Sequence, residues 1–310
     1  MQRRHDTPFF ATLSGALDQL RAQPPVLDER VRADGERILI TGATRGLGLA
    51  LAKDLVRRGA DVALLGRSGL RAAADAVHAV RLGTRVDVYG VDLTEPAAVE
   101  RVLDDIGCFD RVVLNAGAVS ASSRQTTAGL DAMVHLHLMS NAQLIRGLRR
   151  RDALAARARV VLVGSEAHRH AAYLDDWQTP RRYGTTGVLE VYGQSKRLLH
   201  TWAEALASEV PSLDVVHLCP GGMATDIARE APASLRWALD PALRLLFPGP
   251  DEAARQVSWA TLTPSLDGRG STYLHLGVEK APGEGVRDPE RGRRLWTETE
   301  ALLERWTNGD

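Results

Sequence analysis

The chain has 310 residues, of which 44% are hydrophobic, so it is long enough to bury a large core. Lysine plus arginine and aspartate plus glutamate both number 39, which gives a formal net charge of zero. This balance leaves no basic surplus for nucleic acid, and no window approaches the roughly 20 apolar residues that span a bilayer. We therefore expect a soluble globular protein in the cytoplasm.

The first 36 residues precede the first strong strand pattern, and Pro24-Pro25 interrupts any helix among them. We expect an N-terminal extension over residues 1–36 and a single domain over 37–310. The early apolar stretch is broken by polar residues, which is not typical of a secretory signal. The two cysteines, Cys108 and Cys219, have no Cys or His partner at metal-ligand spacing, so we expect reduced thiols and no metal site.

Seven short apolar runs alternate with longer amphipathic segments along the rest of the chain. The runs are Arg37–Thr41, Asp61–Leu65, Arg85–Val91, Arg111–Leu114, Arg159–Val163, Asp214–Leu218 and Thr272–Leu276. Such alternation is typical of repeated strand-helix units with right-handed crossovers. The sequence therefore predicts an α/β protein: one doubly wound domain with a seven-stranded parallel sheet and helices on both faces.

The first run leads directly into a glycine-rich turn ahead of a helical pattern. Glycines at such a turn let the backbone approach a pyrophosphate, which free N–H groups and the positive end of the helix stabilise. Alternatively, the glycines could serve only to pack the helix against the strand. The strand and helix on either side favour the dinucleotide site over this alternative. The candidate dinucleotide contacts in this turn are Gly42, Thr44, Arg45, Gly46, Leu47 and Gly48.

A second motif lies far downstream, at Tyr192-Gly193-Gln194-Ser195-Lys196. Tyr192 and Lys196 are one helical turn apart on the same face; alone, such a pair is usually solvated. Ser165 follows the fifth run, so we expect it at the carboxyl edge of the sheet, where ligands bind in such folds. A phenol with a pKa near 10 is a poor base at neutral pH, so acid/base chemistry at Tyr192 requires a nearby cation.

The G-x-x-x-G-x-G spacing, Asn115-Ala116-Gly117 and the Tyr192 motif occur in the order of the short-chain dehydrogenase/reductase family. The chain resembles this family from Arg37 to about Leu276. The resemblance implies a Rossmann-type domain in which Tyr192 exchanges the alcohol proton, Lys196 lowers the Tyr pKa and Ser165 binds the substrate oxygen. The further cofactor contacts that it implies are Asp92, Leu93, Asn115, Ala116, Gly117, Tyr192, Lys196, Pro220, Gly221 and Thr225.

Two arginines bear on the choice between NAD(H) and NADP(H). After the second run the chain has Gly66-Arg67-Ser68, without the carboxylate that NAD-binding sites present to the ribose. A guanidinium there suits a 2′-phosphate, and Arg45 is a basic residue at a position that NADPH-selective family members often fill with Lys or Arg. Either arginine alone could be a solvated surface charge, but together they predict NADP(H). Asp92, read alone, is equally suited to a helix N-cap or a turn.

One departure from the family pattern concerns the helix after the fourth run. Where the family has an Asn that continues a proton relay from the Lys, this chain has His137, and Asn141 lies one turn away. His137 or Asn141 could serve that relay, since imidazole titrates near neutral pH. A histidine that only packs in the helix is an equally acceptable interpretation.

The candidate substrate groups are aromatic and histidine side chains in two segments. Residues 222–250 form an apolar, proline-punctuated insertion that we interpret as a lid, although such residues commonly pack on their own domain. The segments around this insertion and near the C-terminus look most like the retinol dehydrogenase branch, which implies a lipophilic substrate. The candidates are His168, Tyr173, Trp177, Trp237 and Phe247.

Together these patterns predict an NADP(H)-dependent oxidoreductase that interconverts a carbonyl and an alcohol on a small to medium apolar molecule. An epimerase or cyclase on the same fold, or a non-catalytic NADP(H)-binding regulator, are the alternatives. The resemblance also implies a homodimer or homotetramer, paired through helices at about Leu130 to Arg151 and Val191 to Glu209.

Overall fold

The computed structural model describes residues 25–120, 122–184, 187–221 and 249–308. They form one eight-stranded sheet in the order β3-β2-β1-β4-β5-β6-β7-β8. The strands are β1 (Arg37–Thr41), β2 (Asp61–Gly66), β3 (Val86–Gly90), β4 (Phe109–Leu114), β5 (Leu154–Val163), β6 (Asp214–Cys219), β7 (Ser271–His275) and β8 (Val278–Glu279).

The predicted seven-stranded parallel sheet is confirmed, with one addition. β1 to β7 pair in parallel, whereas the two-residue β8 turns back and pairs antiparallel with β7. β5 begins at Leu154, five residues before the predicted start at Arg159, and its register with β4 shifts between Phe109 and Arg111. Arginines among the alanines in that early part of β5 interrupt the apolar pattern, so the pattern did not predict this part of the strand.

Seven helices in the described residues cover the sheet. They are α1 (Gly46–Arg57), α2 (Leu70–His78), α3 (Pro96–Asp105), α4 (Ala132–Val134, a π turn at His135–Met139, and Ser140–Arg150), α5 (Val188–Glu209), α6 (Pro250–Leu262) and α7 (Pro289–Asn308). Side chains alternate between the two faces of each strand. Ile38 and Ile40 of β1 therefore pack with α1, α2 and α6, while Leu39 packs on the side of α3, α4, α5 and α7.

The strand order reverses between β1 and β4. The chain builds outward from β1 to β3, then returns to pair β4 against the other side of β1. In doubly wound sheets this reversal opens a crevice at the carboxyl ends of the two central strands, where ligands bind. The glycine turn follows β1 and Asn115 follows β4, so the crevice lies between two of the sequence motifs.

The C-terminal helix α7 covers α4 and α5. Trp296 stacks on Trp202 of α5 with ring centroids 6.3 Å apart, and Trp306 stacks on His135 of α4 at 5.1 Å. Arg146 of α4 forms an ion pair with Glu300 at 3.4 Å. These are the helices through which the family resemblance predicts subunit pairing, so contact between copies there would have to displace or accommodate α7. The dimer or tetramer stays a prediction.

Two predicted segments lie largely outside the described residues. They are residues 1–24 of the N-terminal extension and residues 222–248 of the lid. Within the described ranges, none of the helices has the length and apolar character needed to cross a membrane.

Candidate active site

The ends of β1 and β4 are joined by a compact set of hydrogen bonds. The Thr41 hydroxyl accepts the backbone N–H groups of Asn115 and Ala116, both at 2.9 Å. The Asn115 amide in turn donates to the Thr41 carbonyl at 2.9 Å. Thr41 is fully buried, so its hydroxyl satisfies two backbone donors that water cannot reach. These bonds fix the floor of the crevice.

The glycine turn fits a dinucleotide in its backbone geometry. A Cβ at Gly48 would lie 2.3 Å from the Gly42 carbonyl oxygen and 2.6 Å from Asn115 Nδ2, so α1 can start this close to β4 only with glycine. Gly46 has φ +51° and open space where a Cβ would lie. α1 begins with no side-chain cap and no acidic residue in its first turn, which leaves its N–H groups for an anion.

Arg45 and Arg67 lie on either side of one contact between the turn and β2. The Thr44 methyl group lies 2.7 Å from the position of a Cβ on Gly66, so the turn packs directly over the end of β2. Arg45 is exposed, and Arg67 is 60% exposed with one nitrogen 3.5 Å from an Asp92 oxygen. Arg45 directly precedes α1 and Arg67 follows β2 beside Asp92, and guanidinium groups suit a phosphate.

Asp92 is a turn residue as well as a partner of Arg67. One carboxylate oxygen accepts the backbone N–H of Thr94 at 2.9 Å and its hydroxyl at 2.7 Å. Partial burial opposes ionisation, but these bonds and Arg67 lower the Asp92 pKa. Leu93 is buried in the core, and its contact with a cofactor stays a prediction. Pro220 and Gly221 follow β6, and Thr225 lies outside the described residues.

The structure brings Ser165, Tyr192 and Lys196 together at the carboxyl edge of the sheet. Ser165 follows β5 in extended conformation, and its hydroxyl accepts the Ala167 N–H at 3.2 Å. Tyr192 and Lys196 lie in the first turns of α5, with the lysine nitrogen 5.9 Å from the centre of the tyrosine ring. Lys196 is 4% exposed, and its Nζ donates to the Val163 carbonyl at 3.0 Å.

Burial changes the acid/base properties of both groups of this motif. Burial lowers the pKa of Lys196 to about 8, because an ammonium loses its hydration there. Burial raises the pKa of Tyr192 to about 12, against a hydrogen bond from the Ser165 side chain that lowers it. At neutral pH the lysine is mostly charged and the tyrosine holds its proton.

His137 lies beside Lys196, with both ring nitrogens engaged. Nε2 accepts a hydrogen bond from the Ala118 backbone N–H at 3.2 Å. Nδ1 therefore carries the ring hydrogen and donates to Ser195 Oγ at 2.8 Å, and that hydroxyl donates to the Tyr192 carbonyl at 2.8 Å. Burial, with a smaller effect of Lys196, holds the His137 pKa well below its usual range.

Asn141 supports the π turn of α4. Its amide donates to the His137 carbonyl at 2.7 Å, while its own side-chain oxygen is buried and has no hydrogen-bond partner among the described residues. A Cβ built on Gly117 would lie 3.2 Å from His137 Nε2 and 3.5 Å from Lys196 Nζ, so the two groups face the same loop. His137 is thus a neighbour of Lys196, and the relay through His137 or Asn141 stays a prediction.

The described substrate candidates are held mainly by other parts of the chain. Trp177 packs in the core, and its indole N–H donates to Glu298 of α7 at 2.7 Å. Tyr173 is half-buried under the Arg291 guanidinium, 4.4 Å from its ring centre. His168 is fully buried, with both ring nitrogens bonded to backbone groups. Their role in substrate binding stays a prediction, and Trp237 and Phe247 lie outside the described residues.

Sequence reasoning missed several polar residues that build this site. Thr41 ends β1, Ser195 lies inside the Tyr192 motif, and His200 and His217 lie in apolar surroundings of α5 and β6. A histidine in the middle of an otherwise apolar strand, and one a helical turn after Lys196, were available signals. In the described part of the chain no group of three or more His, Cys, Asp or Glu side chains could hold a metal ion.

Comparison with known proteins assigns the family. Residues 36–175 match the family model described as short chain dehydrogenase. A Streptomyces protein (strain C5) named "Putative daunorubicin C-13 ketoreductase DnrU" is 32% identical, with 87% of this chain and 93% of that protein aligned. Mouse retinol dehydrogenase 13 is 26% identical, over 87% of this chain and 84% of that protein.

A solved structure agrees with this assignment. The short-chain dehydrogenase of Burkholderia cenocepacia J2315, crystallised in complex with NADP, superposes with a TM-score of 0.61 and 27% identity. The match covers 79% of this chain and 98% of that protein. The chain belongs to the short-chain dehydrogenase/reductase family of oxidoreductases, in its retinol dehydrogenase-like branch.

Proposed function

We propose that this protein is an NADP(H)-dependent oxidoreductase that interconverts a carbonyl and an alcohol on a small to medium apolar substrate, with Tyr192 as the acid/base. The observation that carries the proposal is the convergence of Ser165, Tyr192 and Lys196 beside a glycine turn fit for a dinucleotide. Two of the relatives carry names of a ketoreductase and a retinol dehydrogenase, which supports a carbonyl or alcohol on an apolar molecule.

The cofactor choice rests on Arg45 and Arg67. The glycine turn would hold the pyrophosphate, and the two exposed guanidinium groups would bind a 2′-phosphate. Asn115 and Lys196 would contact the nicotinamide half of the cofactor. When bound, NADPH supplies the hydride for the carbonyl carbon. The NADP complex of the Burkholderia relative supports this choice.

The protonation states favour carbonyl reduction at neutral pH. With a pKa of about 12, Tyr192 holds the proton that the carbonyl oxygen needs as it becomes an alcohol. The Ser165 hydroxyl, two residues after the end of β5, would bind that oxygen. The Lys196 ammonium, with a pKa of about 8, would stabilise the phenolate that remains after proton transfer.

The function is tested by following the absorbance of NADPH with a panel of apolar ketones and aldehydes. We expect oxidation of NADPH with at least one of them, and a loss of about 100-fold or more in kcat on Tyr192→Phe, because general acid catalysis contributes ~10²–10⁴-fold. The dissociation constant of NADPH should change little. Tyr89→Phe in β3 is the matched control and should retain activity.

Two results would contradict the proposal in different ways. Activity that survives Tyr192→Phe unchanged would exclude the phenol as the proton donor. Tight NADPH binding without oxidation on any member of the panel would favour the non-catalytic regulator.

Arg67→Asp should shift the preference from NADPH toward NADH. The variant removes a charge-assisted contact worth about 1.5–3 kcal/mol and adds a carboxylate of the kind that binds ribose hydroxyls. We expect the ratio of kcat/KM values for NADPH and NADH to fall by about 10-fold or more. Arg101→Asp, an equal charge change on the exposed side of α3, is the control. If Arg67→Asp does not change the cofactor preference, Arg45 would be the residue that binds the 2′-phosphate.

The burial of Lys196 predicts a pH-dependent stability difference between the wild type and Lys196→Met. Its pKa is about 8 in the folded chain and about 10.4 unfolded, so the unfolded state binds the extra proton between these pH values. Wild-type stability should rise relative to the variant by about 1.4 kcal/mol per pH unit from pH 8 to about 10.4, and stay constant relative to it below pH 8.

Urea unfolding of both proteins at several pH values from 7 to 10 measures this difference in the free energy of unfolding. Lys53→Met, which removes a half-exposed lysine of α1, is the matched control for loss of a positive charge. A stability difference between wild type and Lys196→Met that is flat across this range would show that Lys196 is hydrated and not desolvated at the site.

A further inference from the structure

Both backbone groups of Ser165 are bound by histidine side chains. The Ser165 N–H donates to His200 Nε2 at 3.3 Å, and the Ser165 carbonyl lies 2.6 Å from His168 Nδ1. Ser165 stands between β5 and a short 3₁₀ turn at Glu166–Arg169, in extended conformation with φ −159° and ψ 144°. Its backbone is therefore held from both sides at the point where the sheet ladder ends.

The partners of His168 determine which of its nitrogens carries the hydrogen. Nε2 is 2.9 Å from the Gly283 backbone nitrogen, which can only donate, so Nε2 accepts. Nδ1 is then the N–H that donates to the Ser165 carbonyl. The ring is fully buried and neutral, since burial lowers its pKa to about 4 even though the Ser165 bond raises it.

His200 begins a chain of hydrogen bonds in which each ring donates to the next group. Because its Nε2 accepts from Ser165, its Nδ1 carries the hydrogen and donates to His217 Nδ1 at 2.8 Å. His217 Nε2 then donates to Glu204 at 3.1 Å, and the Arg287 guanidinium donates to the same oxygen at 2.8 Å. The negative charge of Glu204 thus fixes the tautomer of both imidazoles, and His200 presents an acceptor to Ser165.

Close packing surrounds these rings. A Cβ on Gly164 would lie 2.1 Å from His200 Cε1, so the ring occupies the space beneath the residue before Ser165. Tyr273 of β7 contacts all three histidines, with ring centroids 5.2–5.5 Å apart, and its hydroxyl donates to Glu166. His168, His200, His217 and Tyr273 are fully buried.

We propose that His168 and His200 are positioning residues that clamp the Ser165 backbone and so hold its hydroxyl where the substrate oxygen binds. This inference rests on the proposed function, in which Ser165 binds that oxygen. The Ser165 hydroxyl accepts the Ala167 N–H at 3.2 Å and donates its hydrogen to Tyr192, so the position of the Ser165 backbone also sets the contact between these two side chains. A displacement of about 1 Å in a group that contacts the reacting atoms costs ~100-fold in rate.

Two polar variants of His200 separate the clamp from general packing. The oxygen of His200→Gln reaches the position of Nε2 and can accept the Ser165 N–H. His200→Asn retains a polar group near Nδ1, facing His217, but is too short to reach Ser165. We expect kcat for ketone reduction within about 3-fold of wild type for His200→Gln and reduced about 10-fold or more for His200→Asn. The NADPH dissociation constant and substrate KM should change little in both.

A double-mutant cycle with Ser165→Ala tests whether the effect acts through the serine. If His200 positions the hydroxyl, the loss caused by His200→Asn disappears in the Ser165→Ala background, because the hydroxyl to be positioned is gone. Equal losses in both backgrounds, or equal activity of His200→Gln and His200→Asn, would overturn the clamp. If a His200 variant does not fold, the same cycle with Ser165→Ala can be made with His168→Asn and His168→Leu.

The same cycle separates failure of the clamp from failure of the proposed function. Ser165→Ala alone should reduce kcat markedly. If it leaves kcat unchanged, the serine has no part in the reaction and the proposed function fails at that residue. If Ser165→Ala reduces kcat while the His200→Asn loss persists in its background, only the clamp fails.

Discussion

The structure depends on the hydrogen bonds that join the end of β1 to the end of β4. The buried Thr41 hydroxyl accepts two backbone N–H groups after β4, and Asn115 returns a bond to the Thr41 carbonyl. These bonds hold the two central strands together where their order reverses. The glycine turn packs against one side of Asn115, while Gly117 leads to His137 and Lys196 on the other. The proposed dinucleotide site and the proposed acid/base site would therefore share one floor.

Burial of polar groups gives this site its chemical character. Lys196 lies in a dry environment that lowers its pKa to about 8, and Tyr192 holds its proton because burial raises its pKa to about 12. Burial lowers the pKa of His137, His168 and His200, and both ring nitrogens of each have a hydrogen-bond partner. Unlike a surface ion pair, such a network fixes the geometry of its members. Stability given up by burying a lysine is typical of a functional site.

Much of the fold and part of the site could be predicted from sequence. The alternation of apolar runs indicated the parallel sheet, and the glycine turn and the Tyr192 motif located the two halves of the crevice. The pattern could not reveal the start of β5 at Leu154, where arginines interrupt the apolar run, or the burial of Trp177 under α7. The roles of His200 and His217 could not be predicted, because their hydrogen-bond partners are distant in sequence. The tautomer of each ring depends on those contacts in the folded chain. Thr225, Trp237 and Phe247 lie outside the described residues.

In the proposed reaction, hydride passes from NADPH to a carbonyl carbon of an apolar substrate. The most direct measurement uses NADPH with deuterium at both C4 positions of the nicotinamide ring and a ketone that the protein reduces, with mass spectrometry and NMR of the product. We expect one deuterium in the product, bonded to the carbon that carries the new hydroxyl group. An alcohol product without deuterium at that carbon would contradict it.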